Sequence, residues 1–392
     1  MLLFIYIMRK LKSEINLLLV LGLFFFLIIV LLLSIIVVRR YFRLKRVRAQ
    51  YSKINLNLFR SNRQYPKLRQ NRTRRSSSEK ISTPLSQTTQ TITKSQNPFG
   101  VMLPSQLVRS SEGMKVAKEL GAVYFRPTSI FLDQWDGTCS ECDIALNAGL
   151  QLVLTVRNNG PSATVPPSDL AAYQRILNQV LNRYQPVVLA VENEENSSLF
   201  YTGTPEQYAA ELKAACEVAH QKNIPCTNGG LVGTLVALLV YDHYLEAGQP
   251  EKAKDFADRA FTGFKPDLRP KLNSPEAKKQ ITKGKALLSA YRTAGADFVN
   301  FHWYFADTQA LEEAVDYLKK QTGLPVITNE VGQQTDNPNQ TTEVMEKIVK
   351  LNFPIAVWFG LDGPKARGLV NQDGSLRPTG QAFKRFIQQN FK

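Results

Sequence analysis

Residues 187–196 read VVLAVENEEN, five apolar residues running straight into a knot of carboxylates and amides. A short continuous apolar run rich in valine fits a strand buried on both faces, and such strands belong to parallel sheets covered by helices. Polar groups crowded at one end mark the carboxyl edge, where parallel α/β folds gather their functional side chains. Outward from this run, seven more of the same kind recur: Gly100–Leu103, Val123–Arg126, Leu152–Val156, Pro225–Asn228, Phe298–His302, Val326–Asn329 and Ile355–Phe359. With Val187–Val191 that makes eight strands. Amphipathic segments separate them, around Gly113–Leu120, Leu170–Tyr184, Pro205–Gln221, Leu311–Lys320 and Thr342–Leu351, with a last one near Thr379–Phe391.

Strand–helix alternation repeated eight times predicts an α/β protein, a (β/α)8 TIM barrel of roughly 250 residues plus an insertion. Val232–Gly284, between the fifth and sixth strands, is the expected insertion. Tyr244–Phe261 within it looks like half of a helical repeat; a single copy has no repeat to stack on, so it reads as helical decoration near the barrel mouth. Local signals agree with the helices. Thr204-Pro205-Glu206-Gln207 is a capping box with proline at the first helical position. Ser168 is placed to cap the helix at Leu170, and Gly149 and Gly323 stand where a helix must stop and turn. A doubly wound open sheet is the competing fold, but no Gly-x-Gly-x-x-Gly or P-loop follows any strand.

The strand ends, read in order, carry Arg126, Arg157-Asn158-Asn159, Glu192-Asn193-Glu194-Glu195-Asn196, Asn228, His302-Trp303-Tyr304, Glu330 and Trp358. No His/Asp run suited to a metal and no Gly-x-Ser-x-Gly elbow is among them. Val191-Glu192-Asn193-Glu194 ends the fourth strand and Ile327-Thr328-Asn329-Glu330 the seventh. On those two motifs the stretch from Pro98 to Lys392 resembles the large clan of retaining glycoside hydrolases on (β/α)8 barrels, which includes cellulases, β-mannanases and β-xylosidases.

The resemblance implies Glu194 as acid/base and Glu330 as nucleophile of a retaining β-glycosidase. Two carboxyl groups about 5–5.5 Å apart protonate the leaving oxygen and capture the oxocarbenium-like carbon from the opposite face. It implies Arg126 beside the nucleophile, favouring its charge, and Tyr304 as a hydrogen-bond donor to it. Asn193 would hold the sugar 2-hydroxyl, and Trp358 would be an aromatic floor under the sugar; His302, in His-Trp-Tyr at a strand end, is open between lining the substrate and a satisfied core histidine. Glu192 and Glu195 are expected to help Glu194 keep its proton. Trp135 and Tyr201 are open between sugar platform and packing. The substrate is then a polysaccharide or glycoconjugate, with no metal and no organic cofactor required. Two features depart from the clan: Glu195 stands where many members have proline, and Val156-Arg157-Asn158 follows strand three where some have histidine. A non-catalytic glycan-binding barrel is the alternative, against which the presence of both carboxylates speaks. A lyase or aldolase would want a strand-end lysine or metal ligands.

The net charge of +16 suggests nucleic acid until it is mapped. Residues 1–14 carry three basic groups and one acid, and residues 39–96 carry sixteen Lys/Arg against Glu79 alone. Thirty basic and thirty-one acidic residues remain from Asn97 onward, so the barrel has no basic nucleic-acid face. Ile15–Val38 is a 24-residue stretch without a charge, long enough to cross a bilayer. A basic segment precedes it, as in a signal peptide, but the apolar run is too long and Arg39-Arg40 follows in place of a cleavage site. The expected organisation is a basic segment (1–14), a single transmembrane helix (15–38), a basic disordered linker (39–96) and the barrel (97–392). The basic flank after the span argues for a cytoplasmic barrel; a polysaccharide substrate argues for an extracytoplasmic one, which is the orientation favoured here. Cys139 and Cys142 read as a local disulfide or free thiols, and Cys216 and Cys226 as core residues.

Overall fold

The computed structural model describes residues 96–160, 163–262, 267–360 and 368–391. The basic amino-terminal segment, the span at Ile15–Val38 and the linker up to Ser95 lie outside the described residues. Among those described, no helix is long and apolar enough to cross a membrane.

Eight parallel strands form the sheet: β1 (Phe99–Val101), β2 (Tyr124–Phe125), β4 (Gln151–Arg157), β5 (Val188–Val191), β6 (Cys226–Asn228), β7 (Val299–Trp303), β8 (Val326–Val331) and β9 (Ala356–Trp358). A two-residue strand, β3 (Ile130–Phe131), pairs with the end of β4 off the main path. The hydrogen-bonded order runs β6-β5-β4-β2-β1-β9-β8-β7. Each of the eight coincides with one of the apolar runs, and β3 with none. The helices are α1 (Ser111–Glu119), α2 (Ser140–Asn147), α3 (Leu170–Arg183), α4 (Pro205–His220), α5 (Gly233–Glu246), α6 (Pro250–Ala260), α7 (Pro275–Tyr291), α8 (Thr308–Thr322), α9 (Pro338–Lys350) and α10 (Pro378–Asn390).

The ring closes between β6 and β7 by isolated bridges, Thr227 to Phe298 and Leu231 to Phe301, rather than by a continuous ladder. Side-chain amides complete the seam. Asn228 accepts from the Asn300 backbone N–H at 2.7 Å and donates to its carbonyl at 2.9 Å, standing in for a peptide unit. Asn300 in turn accepts from the Asn329 N–H at 3.0 Å, beside the register shift between β7 and β8. Buried backbone groups must be paired, and here asparagine pairs those the irregular register strands.

Alternation along the strands sorts side chains into two layers. Met102, Tyr124, Val153, Val188, Ile327, Ile355 and Val357 fill the barrel interior, while their strand neighbours pack outward on the helices. The capping box at Thr204 is present with both reciprocal bonds, and Gly323 ends α8 at φ 68°. Asp169, not Ser168, caps α3, accepting from the Ala172 N–H at 2.9 Å.

Among the described residues, the stretch between the fifth and sixth barrel strands holds three α-helices. α7 packs on α4 and α8, and the α5–α6 pair packs on α7 and α8, so the lone hairpin finds its stacking surface on the barrel itself. α5 is buried from Leu235 through Val240 and also touches β7, so the part of the stretch that precedes Tyr244 belongs to the core. The cysteines form two disulfides, Cys139–Cys142 and Cys216–Cys226. The second corrects the expectation of separate core cysteines: α4 turns straight back into β6, bringing their Cα atoms to 5.3 Å.

Candidate active site

β5 ends in a sharp reversal. Glu192 and Glu194 both take positive φ, 67° and 44°, a region that non-glycine residues seldom occupy. The reversal sends Glu194 across the mouth of the barrel toward β7 and β8. There the two-residue period aims Asn300, His302 and Tyr304 inward while Phe301 and Trp303 pack outward. His302 is the register partner of Glu330.

The result is a compact charged cluster. His302 Nδ1 lies 2.9 Å from Glu194 Oε1 and 3.7 Å from Glu330 Oε1. One oxygen of each carboxylate and an imidazole nitrogen all fall within 4.8 Å of one another. Arg126, nearly buried at the end of β2, donates from Nη1 to Glu330 Oε2 at 2.6 Å and from Nη2 to Asn193 Oδ1 at 2.9 Å. The Tyr304 hydroxyl donates to Glu330 Oε1. His302 Nε2 meets Asn329 Oδ1 at 3.0 Å. Among the described residues, Glu194, His302 and Glu330 are also the group near enough to hold a cation, though Arg126 already gives Glu330 a positive partner.

The electrostatics separate the members. Burial pushes the Glu330 carboxyl up, but His302, Arg126 and the Tyr304 hydrogen bond outweigh it and hold the group below the usual carboxylate range. Burial pushes His302 down, yet Glu330 and Glu194 draw it above its ordinary value. Tyr304 is driven well up by burial and by Glu330, so it stays a donor. Gly230, at φ 101°, explains how His302 fits: a Cβ there would stand 2.2 Å from His302 Nε2.

The cluster thus brings together Arg126, Asn193, Glu194, His302, Tyr304 and Glu330. Trp358 is not part of it. Its ring is fully buried and packs edge-on against Phe383, 5.7 Å away, on the outer layer of the barrel. A one-residue step along a strand changes the face, and the aromatic beside the cluster is Phe359, 5.6 Å from the Tyr304 ring. Tyr201 is buried and donates to Glu211, and Trp135 packs on Tyr184, so both are packing residues. Glu192 and Glu195 turn away from Glu194. Glu192 binds the Asn158 N–H and Thr164, with Arg157 beside it, and Glu195 binds Tyr291 and Asn228. Gly230 and Phe359 escaped the sequence reading; Gly229-Gly230 directly after β6 was the available sign of a close approach.

Residues 248–383 match the family model described as the glycosyl hydrolase catalytic core. The matched stretch contains His302, Tyr304 and Glu330, whereas Arg126 and Glu194 precede it. No curated protein matches the chain. Among solved structures, the chain is similar to a glucosidase from Croceicoccus marinus at 12% identity and TM-score 0.48, covering 70% of this chain but 62% of that one. It is similar also to a GH30 endoxylanase from Clostridium papyrosolvens (14% identity, TM-score 0.46, 74% and 71% covered). A GH128 endo-β-1,3-glucanase from Pseudomonas viridiflava gives 16% identity and TM-score 0.45, with 73% and 96% covered.

Proposed function

We propose that the catalytic core is a retaining β-glycosidase in which Glu330 is the nucleophile and Glu194 the acid/base. The observation that carries this reading is the facing of the two carboxylates, with oxygens within 4.8 Å. Retaining enzymes hold the pair about 5–5.5 Å apart, whereas an inverting pair about 6.5–9.5 Å apart leaves room for a water. Glu330 attacks the anomeric carbon as Glu194 passes its proton to the departing oxygen, giving a covalent glycosyl-enzyme. Glu194 then takes a proton from water, which displaces Glu330 and releases the sugar with its configuration kept. Arg126 and Tyr304 hold Glu330 ionised and oriented. Asn193, with its amide oxygen taken by Arg126, keeps its N–H2 for the sugar 2-hydroxyl. The test is hydrolysis of aryl β-glycosides and polysaccharides, β-1,3-glucan and xylan among them, by the full chain. Glycan binding without turnover across the panel would favour a non-catalytic barrel instead.

Two predictions follow from the arrangement of the cluster. Activity requires the ionised form of Glu330, so it is present above the pKa of that group and lost as pH falls through it. Replacing Arg126 by Met removes a cation that holds this pKa down, and the acid limb of the kcat/KM profile moves to higher pH. An unmoved limb would remove Arg126 from this role. The two aromatics at the end of β9 behave oppositely. Phe359→Ala raises KM by about three- to tenfold through loss of stacking. Trp358→Phe leaves KM alone and lowers stability by about 1–2 kcal/mol, read by thermal unfolding.

The barrel is proposed to work outside the cytoplasm, tethered by Ile15–Val38 and the basic linker. Two disulfides support that side, because such bonds persist in oxidising compartments. Quenching cells in acid, denaturing the protein and then adding a maleimide should leave all four cysteines unlabelled until a reductant is added. Four labelled cysteines before reduction would place the barrel in the cytoplasm.

A further inference from the structure

We propose that Glu195 is a positioning residue that aims the Glu194 carboxyl by anchoring its loop in the β6–β7 seam. The inference rests on Glu194 being the acid/base. Between Glu192 and Asn196 the chain makes a reversal with two non-glycine residues at positive φ, a conformation that persists only where the surroundings over-determine it. Four of the five side chains supply that constraint. Glu192 is held by the Asn158 N–H at 2.7 Å and by Thr164, and Asn193 by Arg126. Asn196 accepts from the Val232 N–H through its side chain and from Lys283 through its carbonyl. Glu195, fully buried, accepts on Oε1 from the Tyr291 hydroxyl and from Asn228 Nδ2 at 2.9 Å. Glu194 alone points at His302.

The anchor is firm because Asn228 is itself fixed on both sides of Asn300 in the seam. Tyr291 reaches it from the last turn of α7. Many proteins of the resembled clan have proline at this position, which fixes φ through its ring. Here a buried carboxyl does the fixing through its side chain. A buried acid is costly where an apolar side chain would fill the same space, and positioning accounts for its presence.

The experiment compares Glu195→Leu, Glu195→Gln and Tyr291→Phe with the parent chain on aryl β-glycosides of poor and activated leaving groups, with crystal structures of the variants. Activated leaving groups depart without a proton, so a misaimed acid costs them little. Glu195→Leu is expected to lose about ten- to a hundredfold in kcat/KM on the poor leaving group, from a displacement of order 1 Å, and less than about threefold on the activated one. Glu195→Gln, which keeps the acceptor oxygen, recovers most of the loss, and Tyr291→Phe falls between. In the Glu195→Leu crystal the 2.9 Å contact between Glu194 and His302 is lost. An equal fall on both substrates, no fall, or an unchanged contact overturns the proposal. The crystal result stands even if the parent chain hydrolyses no glycoside, so failure of the positioning role and failure of the glycosidase reading are told apart.

Discussion

Glu330→Ala is expected to lose at least about 10⁴-fold in kcat/KM on every substrate, activated or not, equivalent to about 5.5 kcal/mol of transition-state stabilisation. The loss is uniform because capture of the anomeric carbon has no substitute when the carboxylate is gone. Arg126 and Tyr304 would remain, but they act on Glu330 rather than on the sugar. Azide, small enough to enter the space left by the side chain, should restore turnover and give the α-glycosyl azide from a β-glycoside. Activity that survives the substitution would remove Glu330 from the chemistry.

Glu194→Ala should behave differently. Poor leaving groups need the proton, and their hydrolysis falls by about 10²- to 10⁴-fold. Activated aryl glycosides still form the glycosyl-enzyme, but its breakdown stalls because no base prepares the water. A burst of released phenol followed by slow turnover is the expected trace. Azide needs no base, so it should accelerate that second step and yield the β-glycosyl azide. The contrast between α-azide from one variant and β-azide from the other assigns the two carboxylates separately. An identical loss of kcat/KM, which reports the first step, on both kinds of leaving group would deny Glu194 the acid role.

Much of this geometry was legible in the chain because parallel strands in a barrel are apolar on both faces and end in polar clusters. VVLAVENEEN and the run ending at Glu330 placed two carboxylates on the fourth and seventh strands. Which way a residue faces was harder where both faces are apolar. At β9 the sequence Ala356-Val357-Trp358-Phe359 offers no polar marker of the inward side, so the sequence alone does not tell Trp358, which faces the helices, from Phe359, which lies beside Tyr304. In β7 the polar Asn300 and His302 give the phase away. The carboxylates of Glu192 and Glu195 were expected to bear on Glu194, but positive φ at Glu192 and Glu194 swings them into separate pockets. A run of five polar residues says nothing of such a turn in advance. The Cys216–Cys226 bond escaped for a related reason, since sequence gives a helix and a strand but not the angle at which one returns to the other.

The helices between the fifth and sixth strands show a further gap. α5 is apolar around its girth in its first half, and periodicity cannot assign a face where every position from Leu235 to Val240 is buried. Its partners, α7 and α8, were fixed by tertiary packing alone.

The proposed retaining mechanism is tested most directly by the configuration of the first product. Proton NMR during hydrolysis of a β-glycoside by the full chain, recorded before mutarotation, should show the β-anomer appear first. An α-anomer formed first would mean inversion and would contradict Glu330 as nucleophile.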